Sequence, residues 1–287
     1  LTDAAYPLPL AALADAPPVL LVRGSAAVLS SSAVAIVGAR AATQGARATA
    51  RRLGRELAAA GLTIVSGLAR GIDAEAHRGA LEGRGRTIGV LACGPDRIYP
   101  PEHRKLAEEM VEVGAVVSEM PLGVPPRRAH FPLRNRIISG LCRAVIVVEA
   151  RRRSGSLITV RHALEQGREV FVIPGSIDGP FAEGTNQLLR DGARPICCAA
   201  DVLEDLGFQA PLDLRAGGRD SPSGQAVDAD SLEGQILVIL EAGPITRDRL
   251  LSQLGSEVAE LAGALLDLEL AGRIMLERDG RIYARWR

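Results

Sequence analysis

The chain is short of lysine, aromatic rings, paired cysteines and long apolar stretches, and each shortage excludes something. Lys105 is its one lysine, against 33 arginines. In a chain rich in Ala, Arg and Gly this bias reads as the base composition of the coding DNA, so single arginines prove little and their clustering decides. The 34 basic residues cancel the 34 acidic ones, so attraction to nucleic acid has to come from a local patch. Cys93, Cys142, Cys197 and Cys198 form no CxxC pair, and four histidines accompany them. Neither a structural metal nor a cofactor is expected, and the thiols read as free cysteines of a cytoplasmic protein. No basic stretch followed by an apolar run opens the chain, and no window of roughly 18 apolar residues occurs, so neither export nor membrane spanning is expected. The first residue is Leu1 rather than Met, so a natural N-terminal segment is expected to precede it.

What is present is a composition able to fold. The 287 residues are 47% apolar and 24% charged, which excludes global disorder and allows one large domain with a small companion. From Val34 to about Leu206 one grammar repeats: a short β-branched run, then small residues, then a helical pattern. The runs are 34–37, 63–65, 87–91, 115–117, 144–148 and 170–173. Each is nearly continuous, as strands buried on both faces of a parallel sheet read. Helical patterns at 47–60, 73–81, 102–113, 135–141 and 159–166 supply the crossovers, and right-handed connection predicts a doubly wound α/β sheet. Gly61, Gly114 and Gly167 are placed to end three of these helices.

Residues 1–33 read as an extension packing on the main domain at 34–210, followed by a flexible linker at 211–230, rich in Gly, Pro, Ser and Asp. Beyond it, 231–287 shows helical patterns at 232–240, 249–254 and 258–270. Gly272 then closes the last helix, and Asp279-Gly280 is set between two short apolar runs as a hairpin turn. Three helices and a hairpin predict a winged-helix-like module. Seven basic residues face nine acids from Glu233 to Asp279, which suits protein contact or a stability cap better than a grip on DNA.

In an open parallel sheet, ligands bind beyond the carboxyl ends of the strands. The residues there are Gly38 and Arg40, Ser66 and Gly67, Gly94, and Glu149 followed by Ser154, Gly155 and Ser156. Gly38 alone would be a tight turn, but several such turns on one rim suit phosphate, because small residues admit a ligand to backbone amides and helix N-termini. The three-glycine dinucleotide fingerprint and the GxxxxGK[ST] loop are both missing, which disfavours NAD binding and nucleoside-triphosphate hydrolysis.

From Pro125 to Arg153 eight arginines stand against Glu149 alone. Arg127, Arg128, Arg134 and Arg136 surround Phe131 and Asn135, and the Arg151–Arg153 run reads as a solvated face. Phe131 either plugs the core or offers its ring to a base, and Asn135 either caps a helix or holds a turn. Cations beside an aromatic suit single-stranded nucleic acid. Catalytic sets are thin. His77 reads as structural, Asp73 as a helix N-cap, and Glu149 as a partner of the Ser154 loop or of an arginine.

Taken in order, AIVGAR at 35–40, IVSGLARGID at 64–73, TIGVLACG at 87–94, Tyr99-Pro100, FPLRNRIISGL at 131–141, VEARRRSGSLIT at 148–159, VIPG at 172–175 and GTNQLLRDGA at 184–193 resemble the DprA/Smf DNA-processing proteins of bacteria. The likeness covers about Tyr6 to Leu206, and the acidic tail resembles the family's winged-helix domain. The family's helical N-terminal SAM-like domain has no counterpart here. The resemblance implies an extended Rossmann-like, mostly parallel sheet and a non-enzymatic homodimer in the cytoplasm. Such a protein binds single-stranded DNA without base specificity, loads RecA in natural transformation and displaces single-strand-binding protein. It also implies strand-binding positions at Gly38, Arg40, Ser66, Gly67, Gly94, Phe131, Arg134, Asn135, Arg136, Ser154, Gly155 and Ser156. Arg127 or Arg128 stands where many members have a lysine. Dimer contacts are implied near Leu188, Leu189, Ile196 and Val202. The alternative is a nucleotide-hydrolysing enzyme of the phosphoribohydrolase type, whose PGGxGTxxE motif aligns with Ser154–His162 and puts His162 at the glutamate.

Overall fold

The computed structural model describes residues 6–177, 179, 181–208, 231–241, 245–255, 258–270, 273–276 and 281–284. The linker at 211–230, Gly272 and the Asp279-Gly280 turn lie outside these residues. Two compact units divide the chain at residue 218.

In the first unit, strands β1 (Leu21–Gly24), β2 (Ala33–Val37), β3 (Thr63–Ser66), β4 (Thr87–Val90), β5 (Ala115–Ser118), β6 (Ala144–Val147), β7 (Glu169–Val172) and β8 (Arg194–Pro195) form one sheet. Its order is β1-β5-β4-β3-β2-β6-β7-β8. Every pairing is parallel except β1 with β5. After edge strand β1 the chain enters the middle at β2, builds outward to β5, then returns to lay β6 beside β2. That reversal makes β2/β6 the topological switch point, where the crevice of such a sheet opens. All five residues of β2 and all four of β3, β4, β5 and β6 are buried, which explains their unbroken apolar runs.

Helices cover both faces: α1 (Leu8–Ala11), α2 (Gln44–Ala59), α3 (Ile72–Glu82), α4 (Arg104–Val113), α5 (His130–Gly140), α6 (Ser156–Glu165), α7 (Glu183–Arg190) and α8 (Ala199–Asp205). Ala50, Leu53 and Leu57 bury one stripe of α2 against Ile36 and Ile64, while Ile137, Ile138 and Val160 bury α5 and α6 against Val145 and Val147. The Thr43 hydroxyl caps α2 by accepting from the Ala46 amide at 3.2 Å, satisfying one of the helix's orphan donors.

Several expectations are corrected. The N-terminal extension contributes β1 to the sheet edge instead of only packing on it. α5 begins at His130, five residues earlier than its apolar pattern suggested, because Pro132 is tolerated in a first turn. Gly61 and Gly167 end their helices with φ of 90° and 66°, but Gly114 takes φ −153° and is confined instead by the Thr87 backbone, which a Cβ would overlap. Ile196 and Val202 are wholly buried in the core, so they offer no surface to a second copy. Leu188 and Leu189 are half-buried against the same domain.

The second unit carries α9 (Leu232–Glu241), α10 (Arg247–Leu254), α11 (Val258–Leu270) and a three-stranded antiparallel sheet of Ile245–Thr246, Ile274–Leu276 and Arg281–Ala284. Ile236, Leu240, Leu250, Leu261, Leu265 and Leu268 close its own core, and the arrangement is a winged helix. Among the described residues no helix is long and apolar enough to cross a membrane.

One buried histidine makes the first unit acid-sensitive. Thr87 donates its hydroxyl to the Ile64 carbonyl at 2.8 Å, so the 2.6 Å contact between Thr87 Oγ1 and His77 Nδ1 requires the imidazole to donate. Nε2 is then a bare buried acceptor. Burial, with His103 and Arg134 nearby, lowers the His77 pKa to about 3. Because the folded pKa lies below the unfolded value of about 6.5, the stabilisation is complete above that pH. It is lost as pH falls towards 3, by about 1.4 kcal/mol per unit. His77→Gln keeps a donor for Thr87 and removes the titration. Its melting temperature is expected to fall less than the parent's between about pH 6.5 and 4.5; equal acid sensitivity in the two proteins would contradict a neutral buried imidazole.

Candidate nucleic-acid interface

At the switch point a cavity of about 270 Å³ opens between the turn after β2 and the N-terminus of α6. Of the positions singled out by sequence, it gathers Gly38, Arg40, Phe131, Arg134, Asn135, Ser154, Gly155 and Ser156, together with Asp73 and Thr159. The remaining six lie elsewhere or behind its wall.

α5 decides what each arginine can do. Arg134 shares the helix's buried stripe with Ile137 and Ile138, and is only 4% exposed. Its Nη1 donates to the Gly67 carbonyl at 2.8 Å and to the Val90 carbonyl, tying the ends of β3 and β4 to α5. Gly67 lies against that guanidinium so closely that a Cβ would overlap it. Burial lowers the Arg134 pKa to about 10, so the group keeps its charge at neutral pH. Asp73 is the compensating charge. Burial raises its pKa, opposed by Arg134 and by the amides of Ala69 and Gly67, which donate to Oδ2 at 3.4 and 3.1 Å. Asp73 is therefore not the cap of α3, which is Gly71. It fixes the preceding turn, where Leu68 is held at φ 54°, a left-handed conformation costing a branched side chain on the order of 1 kcal/mol.

Exposed groups sit in front of this buried pair. The Arg40 guanidinium lies 5.0 Å over the Phe131 ring, and Tyr99, 43% exposed, meets the same ring edge-on with centroids 6.0 Å apart. Phe131 is thus half-buried at the rim and does not plug the core. Asn135 holds a turn by donating to the Gly155 carbonyl at 3.2 Å. The Ser154 and Ser156 hydroxyls pair at 2.7 Å where α6 starts, and amides there face anions favourably.

The other predicted positions have different work. Arg136 donates to both Glu119 carboxylate oxygens at 2.9 and 2.8 Å and pairs with Asp15 at 3.2 Å, so it fastens the N-terminal extension and is not free to hold phosphate. Ser66 is buried and donates to the Ile36 carbonyl at 2.6 Å. Gly94 is buried, its amide given to the Val124 carbonyl at 3.0 Å. Arg127 and Arg128 are exposed just before α5 and outside the cavity lining. The Glu149 carboxylate instead accepts from the Thr43 amide and hydroxyl at 2.9 and 3.0 Å, and among the described residues it pairs with no arginine. Sequence reasoning gave Tyr99 no role, although it stands in the quoted Tyr99-Pro100 motif. It also assigned Asp73 to a cap, since the carboxylate's targets precede it in a loop.

Residues 1–207 match the family model described as DNA recombination-mediator protein A, and residues 220–280 match the DprA winged helix domain. The chain belongs to this family. It is 43% identical over 283 residues to Protein Smf of Escherichia coli, covering 98% of this chain and 75% of that one. To DNA processing protein DprA of Bacillus subtilis it is 45% identical over 202 residues, 70% and 68% of the two chains. Among solved structures, DprA from Streptococcus pneumoniae superposes with TM-score 0.69 at 42% identity, covering 72% of each chain. DprA from Helicobacter pylori gives 0.66 at 32% identity, covering 71% of this chain and 94% of that one, in a study of its single-stranded DNA binding mode. A DprA family member with a mostly parallel sheet and a winged helix therefore carries the rim described above.

Because Arg134 is the countercharge of a buried carboxylate, Arg134→Met is expected to destabilise the first unit by about 3–5 kcal/mol in urea unfolding. A loss below about 1 kcal/mol would mean the guanidinium is solvated, as in a surface pair.

Proposed function

We propose that this protein binds single-stranded DNA without base specificity in the switch-point cavity, holding the strand without chemical change. The supporting observation is the Arg40–Phe131–Tyr99 cluster at the mouth of that cavity. A guanidinium for phosphate and an aromatic face for a base are the two elements of sequence-tolerant single-strand binding. The family relationship adds to this, as does the single-strand binding mode described for the Helicobacter pylori protein. Arg127 and Arg128 extend the cationic approach to the cavity. The wider reading, also proposed, is a cytoplasmic homodimer that loads RecA onto incoming strands during natural transformation and displaces single-strand-binding protein. It rests on the family alone. For the dimer, exposed neighbours of Leu188 and Leu189 replace the buried Ile196 and Val202. The phosphoribohydrolase alternative is weaker, because His162 pairs with Glu165 at 3.6 Å and does not line the cavity.

Fluorescence anisotropy with labelled oligothymidylate between about 50 and 200 mM salt tests the strand site. Arg40→Ala is expected to weaken binding and to flatten the log–log salt slope by about 0.7, because one phosphate is then left without its cation. Phe131→Ala is expected to weaken binding about tenfold with the slope intact. Arg136→Ala, whose guanidinium is held by Glu119 and Asp15 outside the cavity lining, is expected to leave both unchanged. Unaltered affinity in Arg40→Ala would remove the strand from this cavity, and release of free base from nucleoside monophosphates would favour the hydrolase.

A further inference from the structure

Three of the four phenylalanines lie under an arginine, and only Phe171 is wholly buried core. Phe208 sits beneath Arg143, at the amino end of β6, and that guanidinium also donates to the Leu206 carbonyl at 3.2 Å; this pair packs one chain segment onto another. The other two pairs stand at the carboxyl rim. Besides Arg40 over Phe131, Arg151 lies 4.2 Å over the Phe181 ring, four residues beyond the end of β6. A second cavity of about 320 Å³ opens beside it, floored by Val148 and Ile173 and walled by Thr43, Glu149, Ser176 and Ala182, the residue after Phe181. β2, β6 and β7 are consecutive in the sheet, so the turns after β2 and β7 lie roughly 10 Å apart, two strand spacings. Glu149 is the partition between the cavities. Its carbonyl accepts from the Ala39 amide at 2.7 Å, in the turn of the first, and its carboxylate faces the second.

Resting on the proposed strand site, we propose that Phe181 and Arg151 form a second platform for the same single strand, so that DNA leaving the Phe131 cavity runs along the rim across β6 to β7. The chemistry divides cleanly. The Glu149 carboxylate repels phosphate but accepts from an N–H on the Watson–Crick edge of a base, the N3–H of thymine included, so a base at the mouth of this cavity stacks on Phe181 beside it. Arg151 then leaves the ring for a phosphate, beside the exposed Arg152 and Arg153. The arginine run that reads as solvated surface thereby becomes part of the DNA path.

Anisotropy with an oligothymidylate series from about 3 to 12 nucleotides separates the two platforms. Phe181→Leu keeps the apolar volume and removes the π face, while Arg151→Ala removes an exposed cation. Both variants are expected to match the parent on the shortest strands and to bind strands above about six nucleotides on the order of tenfold more weakly. Arg151→Ala alone should also flatten the salt slope on long strands, by about 0.7, and the control Arg143→Ala should behave as the parent does. Parental affinity at every length in both variants, or an equal loss at every length, overturns the second platform and leaves the first standing. If instead Arg40→Ala and Phe131→Ala bind all lengths as the parent does, the strand-site reading falls and takes this proposal with it.

Discussion

The rim depends on one buried charge. Arg134 reaches from α5 under the sheet's carboxyl edge to carbonyls at the ends of β3 and β4, and Asp73 answers it through the amides of the same turn. Both groups are largely buried, so each is stable only while the other, and the backbone groups between them, stay in place. The turns after β3 and β4 are thereby held in place before any ligand arrives. Such pre-organisation lowers the entropy lost on binding. The exposed groups, Arg40 and Tyr99, stand in front of this frame, with Phe131 between them.

A division of labour among arginines follows. Counted along the sequence, the 125–153 segment is a cationic patch. In three dimensions Arg134 is a structural cation, Arg136 is neutralised by Glu119 and Asp15, and Arg40, Arg127, Arg128 and Arg151–Arg153 remain for a polyanion. The field offered to a polyanion is weaker than the segment's charge suggests, and it is displaced towards the turns after β2 and β6.

The main sheet was legible in the sequence because strands covered on both faces leave unbroken apolar runs. β1 was not, because an edge strand with two exposed residues at Arg23 and Gly24 leaves no such trace. α7, β8 and α8 were missed because short elements at the sheet's far edge carry little periodicity. The site was legible as a set of turns, since the topology obliges carboxyl ends to meet. The orientation of its arginines was not. One local signal did exist: Arg134 stands three and four residues before Ile137 and Ile138, so helical spacing places it on the buried stripe. The Glu119 and Asp15 partners of Arg136 come from distant segments, and no local pattern announces them.

An inward cation builds the rim, and on the proposed reading outward groups hold the strand. A crystal structure of the protein with a short oligothymidylate tests this division most directly. The expected result leaves Arg134 on the Gly67 and Val90 carbonyls, moves Arg40 from the Phe131 ring to a phosphate, and puts a base against that ring. A strand bound away from the switch point, or Arg134 turned outward onto phosphate, would contradict it.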